Sequence, residues 1–182
     1  GPGSPFDGFE DPWCTGYRGF LDRVVEANLR GEPGAPAVFA VCHSYQIAVM
    51  HFRIARMAER PGGRKFGIMP IYITPEGQQV PIFEPFGDRL FAWEHRFWEA
   101  IELDEARLRN LGGHVLARES REGRTDKGPA LLALDFAPGV VGTQFHPEAD
   151  RAGVESWVLD PGHAEEFKAA YGDALYDRMV IT

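Results

Sequence analysis

The sequence predicts an α/β protein built on a doubly wound, mostly parallel sheet with a small antiparallel annex. Three observations carry that prediction. The apolar run Val38-Phe-Ala-Val41 leads directly into a stretch with helical spacing. Short apolar runs separated by turn residues fill the middle of the chain, and a helical pattern closes it. Strand, helix, β-rich excursion and final helix describe a sheet covered by helices with an antiparallel addition.

Taken in order, Gly1-Pro2-Gly3-Ser4-Pro5 is loop-like, and Asp11 to Ala27 holds the first helix. Within it Phe20, Leu21, Val24 and Val25 form one apolar stripe at 3.6-residue spacing. Gly31 to Pro36 is a loop, and Val38–Val41 is a buried strand. From Gln46 to Glu59, Ile47, Met50, Ile54 and Met57 recur at intervals of three and four, which predicts an amphipathic helix ended by Pro61-Gly62-Gly63. Residues 65–93 read as β-rich: a strand carrying Phe66, Ile68, Ile71 and Ile73, a turn at Pro75-Glu76-Gly77, and a short strand over Val80–Phe83. Leu103 to Leu111 is a short helix. Val115–Ala117, Ala130–Phe136 and Val140–Phe145 are later strands, the last two separated by a Pro138-Gly139 hairpin turn. Ala164 to Arg178 closes the chain as a helix.

Composition narrows the functional classes. A chain of 182 residues, 44% hydrophobic and 12% aromatic, is one domain with enough apolar matter for a core. A formal net charge of −8 argues against a nucleic-acid or anionic-membrane binder, which needs clustered Lys and Arg. The one basic-rich stretch, Arg118 to Lys127, is interrupted by Glu119, Glu122 and Asp126 and reads as a solvated loop. Two cysteines cannot build a disulfide framework, no Cys/His cluster has zinc spacing, and so no metal or cofactor is expected. No apolar run approaches the roughly 20 residues that span a bilayer, and no secretory leader is visible. A cytoplasmic setting, where a free thiol persists, fits best.

Cys42 is the residue in which chemistry concentrates. It follows the Val38–Val41 strand and precedes the helical stretch, on a turn flanked by the small residues Ala40 and Ser44, as a nucleophile elbow requires. Helix N-termini favour anions, and the His43 N–H is placed to donate to an oxyanion. Far downstream, the run from Val140 to Phe145 ends in His146-Pro147-Glu148. Proline forces the preceding residue into extended geometry, and residues two apart in extended chain share a side. His146 and Glu148 are therefore expected to face one way, with the carboxylate orienting the imidazole and the imidazole serving the thiol. Cys14 has no such turn around it and reads as structural.

These segments resemble the class I (triad) glutamine amidotransferases, and most closely the stand-alone domains similar to the glutaminase part of GMP synthase. The resemblance rests on Gly1-Pro-Gly-Ser-Pro5, Val41-Cys-His-Ser-Tyr-Gln46 and Val141-Gly-Thr-Gln-Phe-His-Pro-Glu148, in the family's order. It implies a flavodoxin-like fold and a substrate, L-glutamine, attacked by Cys42 to give a γ-glutamyl thioester. It implies His146 as proton relay and Glu148 as its orienter. Gln46, His95 and the oxyanion loop with Gly1 and Gly3 become the substrate-binding set. Ala40 and Ser44 stand where the family has glycines, and near His95 the family's closely following aspartate is absent.

The family also places a strand–helix–strand portion ahead of its glycine-rich loop, so the native chain is expected to extend beyond Gly1. Gly1 to Ser4 reads as that loop, the alternative being a purification scar. No nucleotide-binding G-x-x-x-x-G-K-[ST] loop occurs, so an ammonia-accepting synthetase would be another chain or domain. Two other functions stay open at this point: a Cys-His-Glu hydrolase or acyltransferase for γ-glutamyl or acyl substrates, and a catalytically silent binding module.

Overall fold

The computed structural model describes residues 3–120 and 128–181. Gly1 and most of the basic stretch read above as a solvated loop lie outside the described residues. Two compact units are present, one reaching to His146 and one from Pro147 onward.

The first unit begins with helix α1 (Pro12–Leu29), whose buried Leu21, Val24 and Ala27 supply the expected apolar stripe. Strand β1 (Val38–Val41) follows and passes through Cys42 into helix α2 (His43–Phe52). Next come β2 (Arg56–Glu59), β3 (Lys65–Ile73), β4 (Arg89–Arg96), β5 (Trp98–Ile101), α3 (Glu105–Asn110), β6 (His114–Arg118), β7 (Leu131–Ala137) and β8 (Val140–Thr143). The sheet order is β1-β8-β7-β6-β3-β4, with β5 pairing both β2 and β7. The result is a mixed α/β fold on a curled sheet.

Among the described strands only β1 and β8 pair in parallel; every other pairing is antiparallel. The expectation of a mostly parallel sheet is corrected accordingly. Parallel neighbours need long crossover connections, and here β7 and β8 are joined by Pro138-Gly139 alone, with Gly139 at φ 83° as a tight hairpin demands. The antiparallel part is thus the larger share of the sheet. β1 stands at the end of the strand order, paired on one side by β8.

Three predicted elements are also revised. The helix expected from Gln46 to Glu59 ends at Phe52, because Arg53 adopts the left-handed conformation (φ 53°) and its N–H caps the Met50 and Val49 carbonyls. Arg56–Glu59 then pairs with β5, and Ile54 and Met57 are buried there rather than on a helix. Val80–Phe83 is a turn between two 3₁₀ segments, Gly77–Gln79 and Glu84–Phe86, in a stretch where Pro81 offers no N–H to a sheet. The closing helix is two helices, α5 (Pro161–Tyr171) and α6 (Asp173–Ile181), broken at Gly172 with φ 87°. With α4 (Arg151–Leu159) they make up the second unit, in which Trp157 stacks on His163 at 4.0 Å and the Asp160 side chain caps α5.

Strand β7 is buried along nearly its whole length and feeds two apolar clusters. One gathers Leu21, Val24, Tyr45, Val49, Phe52, Leu134 and Phe136 beneath α1 and α2. The other gathers Ile71, Leu90, Leu116, Leu132 and Phe145. Gly142 on β8 is required by close packing: a Cβ there would lie 2.5 Å from the Ala40 carbonyl oxygen.

Charges are buried as well. The Arg96 side chain has no exposed surface and is paired with Glu94, with Glu99 at 3.3 Å and with Glu119 at 3.0 Å. Lys65, opposite Arg96 across the β3–β4 pair, reaches Glu94 at 3.0 Å and Glu119 at 2.7 Å. Burial works to lower the Arg96 pKa, but Glu94 and Glu119, then Glu99, outweigh it and hold the guanidinium above its ordinary value. Deleting one member of such a cluster leaves its partners buried without counter-charge. Arg96→Ala is expected to cost about 3–5 kcal/mol of stability, read as a lower urea midpoint, whereas Arg56→Ala, which breaks an exposed pair with Glu102, is expected to cost no more than about 1 kcal/mol.

Candidate functional site

Cys42 sits between β1 and α2 with φ 52° and ψ −104°, a left-handed conformation that non-glycine residues rarely hold. Two hydrogen bonds hold it there. Its N–H donates to the Thr143 carbonyl at 2.8 Å, extending the β1–β8 register by one residue, and its carbonyl accepts from the Gln46 N–H at 3.0 Å, opening α2. The half-buried sulfur is thereby turned out of both elements toward β4. There the thiol donates to the His95 carbonyl at 3.8 Å, and the Gln144 amide donates to the sulfur at 3.6 Å.

His146 reaches the same strand from the other direction. Its N–H donates to the Trp93 carbonyl at 2.8 Å, in an isolated antiparallel bridge between Trp93 and His146. Carbonyls two residues apart on a strand point to the same edge, spaced by roughly 7 Å. One edge of β4 therefore meets the sulfur of Cys42 at His95 and the backbone of His146 at Trp93.

The other predicted site residues are distributed as follows. Gln46 is buried, and its amide donates to the Gln144 carbonyl oxygen at 3.0 Å, so it acts on the sulfur through Gln144. His43 opens α2, and its ring stacks on the exposed Trp13 with centroids 6.4 Å apart. The ring of His95 lies 3.1 Å from an Arg64 guanidinium nitrogen. Gly3 is exposed in the opening turn, with open space where a Cβ would stand. Gly1 falls outside the described residues. His146 is bridged in extended geometry as expected, but Pro147 and Glu148 form a turn. The two-residue alternation that was to put Glu148 beside His146 does not run through that turn, and Glu148 is an exposed residue of the second unit.

No protein-family model and no curated protein sequence matches the chain. Solved structures do. A glutamine amidotransferase from Thermotoga maritima superposes over 100% of this chain with a TM-score of 0.68 at 13% identity. A glutamine amidotransferase from Methylobacillus flagellatus gives 0.63 over 89% of the chain at 17% identity, and the acivicin-bound glutaminase domain of Trypanosoma brucei CTPS gives 0.53 over 78% at 14%. The chain has the glutamine amidotransferase fold. It spans 66% of the Thermotoga protein's length and 55% of the Methylobacillus protein's.

On this amidotransferase fold, sequence reasoning missed Gln144 beside the thiol and Arg64 beside the His95 ring. Gln144 was legible in principle: it lies two residues before His146 in the same run, so an extended chain turns both to one side. Arg64 gave no signal, since only the β3–β4 register brings it to His95. Among the described residues no group of His, Cys, Asp and Glu is arranged to hold a metal ion, and no helix is long and apolar enough to cross a membrane.

The two free cysteines differ in reach. Cys14 is completely buried, and burial pushes its thiol pKa up, partly offset by Arg18. Iodoacetamide is expected to label Cys42 alone in the folded protein and Cys14 only in denaturant, as peptide mapping will show.

Proposed function

We propose that the protein hydrolyses the side-chain amide of L-glutamine to glutamate and ammonia through a cysteine thioester. The observation that carries this reading is the placement of the Cys42 sulfur. A strained strand-to-helix turn presents it between the Gln144 amide and the His95 carbonyl, on the strand edge that also anchors His146. The amidotransferase fold of the chain supports it.

In the proposed reaction the Cys42 sulfur attacks the glutamine side-chain carbonyl carbon while His146 accepts the thiol proton. The carbonyl oxygen becomes an oxyanion, to which the His43 N–H at the start of α2 is the proposed donor. His146 returns the proton to the amide nitrogen as the C–N bond breaks, releasing ammonia and leaving a γ-glutamyl thioester. Water, deprotonated by the same imidazole, attacks the thioester, the carbon–sulfur bond breaks, and glutamate leaves. Glu148 is the proposed orienter of His146, and the Gln46–Gln144 pair fixes the sulfur's position. The ammonia is proposed to pass to a synthetase on another chain or domain.

The test is release of glutamate and ammonia from L-glutamine. Cys42→Ala is expected to lower turnover by at least about 10³-fold with the fold unchanged by circular dichroism. His146→Asn should approach that loss, and Glu148→Gln should lose less because some hydrogen bonding remains. Retention of most turnover in Cys42→Ala refutes the assignment.

A further inference from the structure

Behind the Cys42 sulfur lie two buried amides whose chemistry goes past holding it in place. Gln144 has no exposed surface and Gln46 is 3% exposed. Gln144 therefore has no surface with which to touch a substrate, and Gln46 has next to none. Burying a primary amide is costly unless it is hydrogen-bonded, and an apolar pair of similar size would pack there without that cost. Both residues also belong to the segments that hold the Cys42 backbone. The Gln46 N–H donates to the Cys42 carbonyl, and Gln144 follows Thr143, whose carbonyl takes the Cys42 N–H.

The two side chains form a directed relay. Gln46 Nε2 donates to Gln144 Oε1 at 3.0 Å, and Gln144 Nε2 donates to Cys42 Sγ at 3.6 Å. Were the Gln144 amide turned over, its NH2 group would face that of Gln46, donor against donor, and its oxygen would face the sulfur. Gln46 thus selects the orientation that aims an N–H at the reactive atom. The thiol's bond to the His95 carbonyl, at 3.8 Å, acts the other way. It is lost once the proton leaves, and it then sets an oxygen dipole against the thiolate. The Gln144 bond survives ionisation and strengthens, because an anionic acceptor makes a hydrogen bond roughly twice as strong.

We propose that Gln144 is a catalytic residue that stabilises the Cys42 thiolate, and that Gln46 is a positioning residue acting through it. The inference rests on Cys42 as the nucleophile of the proposed reaction and not on the identity of its substrate. The donor favours attack, when the thiol proton has left and negative charge sits on sulfur. It favours thioester breakdown as well, when the carbon–sulfur electron pair returns to sulfur.

The test is the rate at which iodoacetamide alkylates Cys42, which follows the thiolate and needs no substrate. At pH 7 Gln144→Met is expected to react about 10-fold more slowly than wild type, the low end for a charged hydrogen bond. Gln46→Met leaves the Gln144 amide present but free to turn, so a smaller loss is expected, and none where Gln144 is already Met. At about pH 10.5, above the ordinary thiol range, the variants should match wild type. A wild-type rate at pH 7 in Gln144→Met, with buried Cys14 unlabelled as proof of folding, overturns the proposal. So does a slowing that persists at the higher pH, which marks lost access or a disturbed turn. Losses that add in the double variant overturn the relay through Gln46. If Gln144→Met does not fold, an unchanged pH 7 rate in Gln46→Met overturns the proposal in its place. Absence of ammonia release from L-glutamine by wild type overturns the glutaminase reading alone.

Discussion

Strand β4 is the constraint on which the site depends. One edge pairs with β3 over eight residues, from Arg89 to Arg96. At the opposite edge the Trp93 and His95 carbonyls take the His146 N–H and the Cys42 thiol. The two segments that bear the proposed nucleophile and its proposed base arrive from distant parts of the chain, and neither makes a long ladder with β4. Their relative placement is thus only as good as the placement of β4 itself, and a slip of one residue would send every side chain of the strand to the wrong face.

The buried ions explain how such a slip is penalised. Because side chains alternate, the residues between and after the two anchoring carbonyls, Glu94 and Arg96, point away from the thiol into the interior. There Arg96 meets Glu94, Glu99 and Glu119, and Lys65 meets Glu94 and Glu119. A cluster of this kind adds little net stability over well-packed apolar side chains, since desolvation offsets most of the attraction. It does discriminate between registers. Any shift that withdraws one charge leaves others buried without a partner, an outcome far more costly than mispacked methyl groups.

What the sequence revealed and what it hid follow from the range of the interactions concerned. The β1–Cys42–α2 unit was legible because an apolar strand, a turn with small neighbours and a helical pattern are all local. The hairpin at Pro138-Gly139 was legible for the same reason. The end of α2 was not, because Ile54 and Met57 keep helical spacing while being buried by a turn and by β2. Spacing reports burial, and tertiary pairing with β5 decided the conformation. Strand direction was hidden too: the parallel β1–β8 pair and the antiparallel pairs around β7 use similar apolar runs. Of the site, Cys42 and His146 were marked by their motifs and Gln144 shared the run that ends in His146, whereas Arg64 meets the His95 ring only through the β3–β4 register. Glu148 shows the converse, where a sound rule for extended chain met a turn.

The geometry of Cys42 itself closes the chain of dependence. A cysteine at φ 52° and ψ −104° costs on the order of 1–3 kcal/mol and persists only where its surroundings over-determine it. Here the surroundings are the β1–β8 pair, whose last rung is the Cys42 N–H on the Thr143 carbonyl, and the first turn of α2, begun by the Cys42 carbonyl. That rung needs β8 drawn tightly against Ala40, which Gly142 permits because no side chain intervenes. Thr143 is followed directly by Gln144, whose amide meets the sulfur that the turn has exposed. The same short segment thus imposes the strained backbone of Cys42 and contacts its sulfur, before continuing two residues further to His146 on β4.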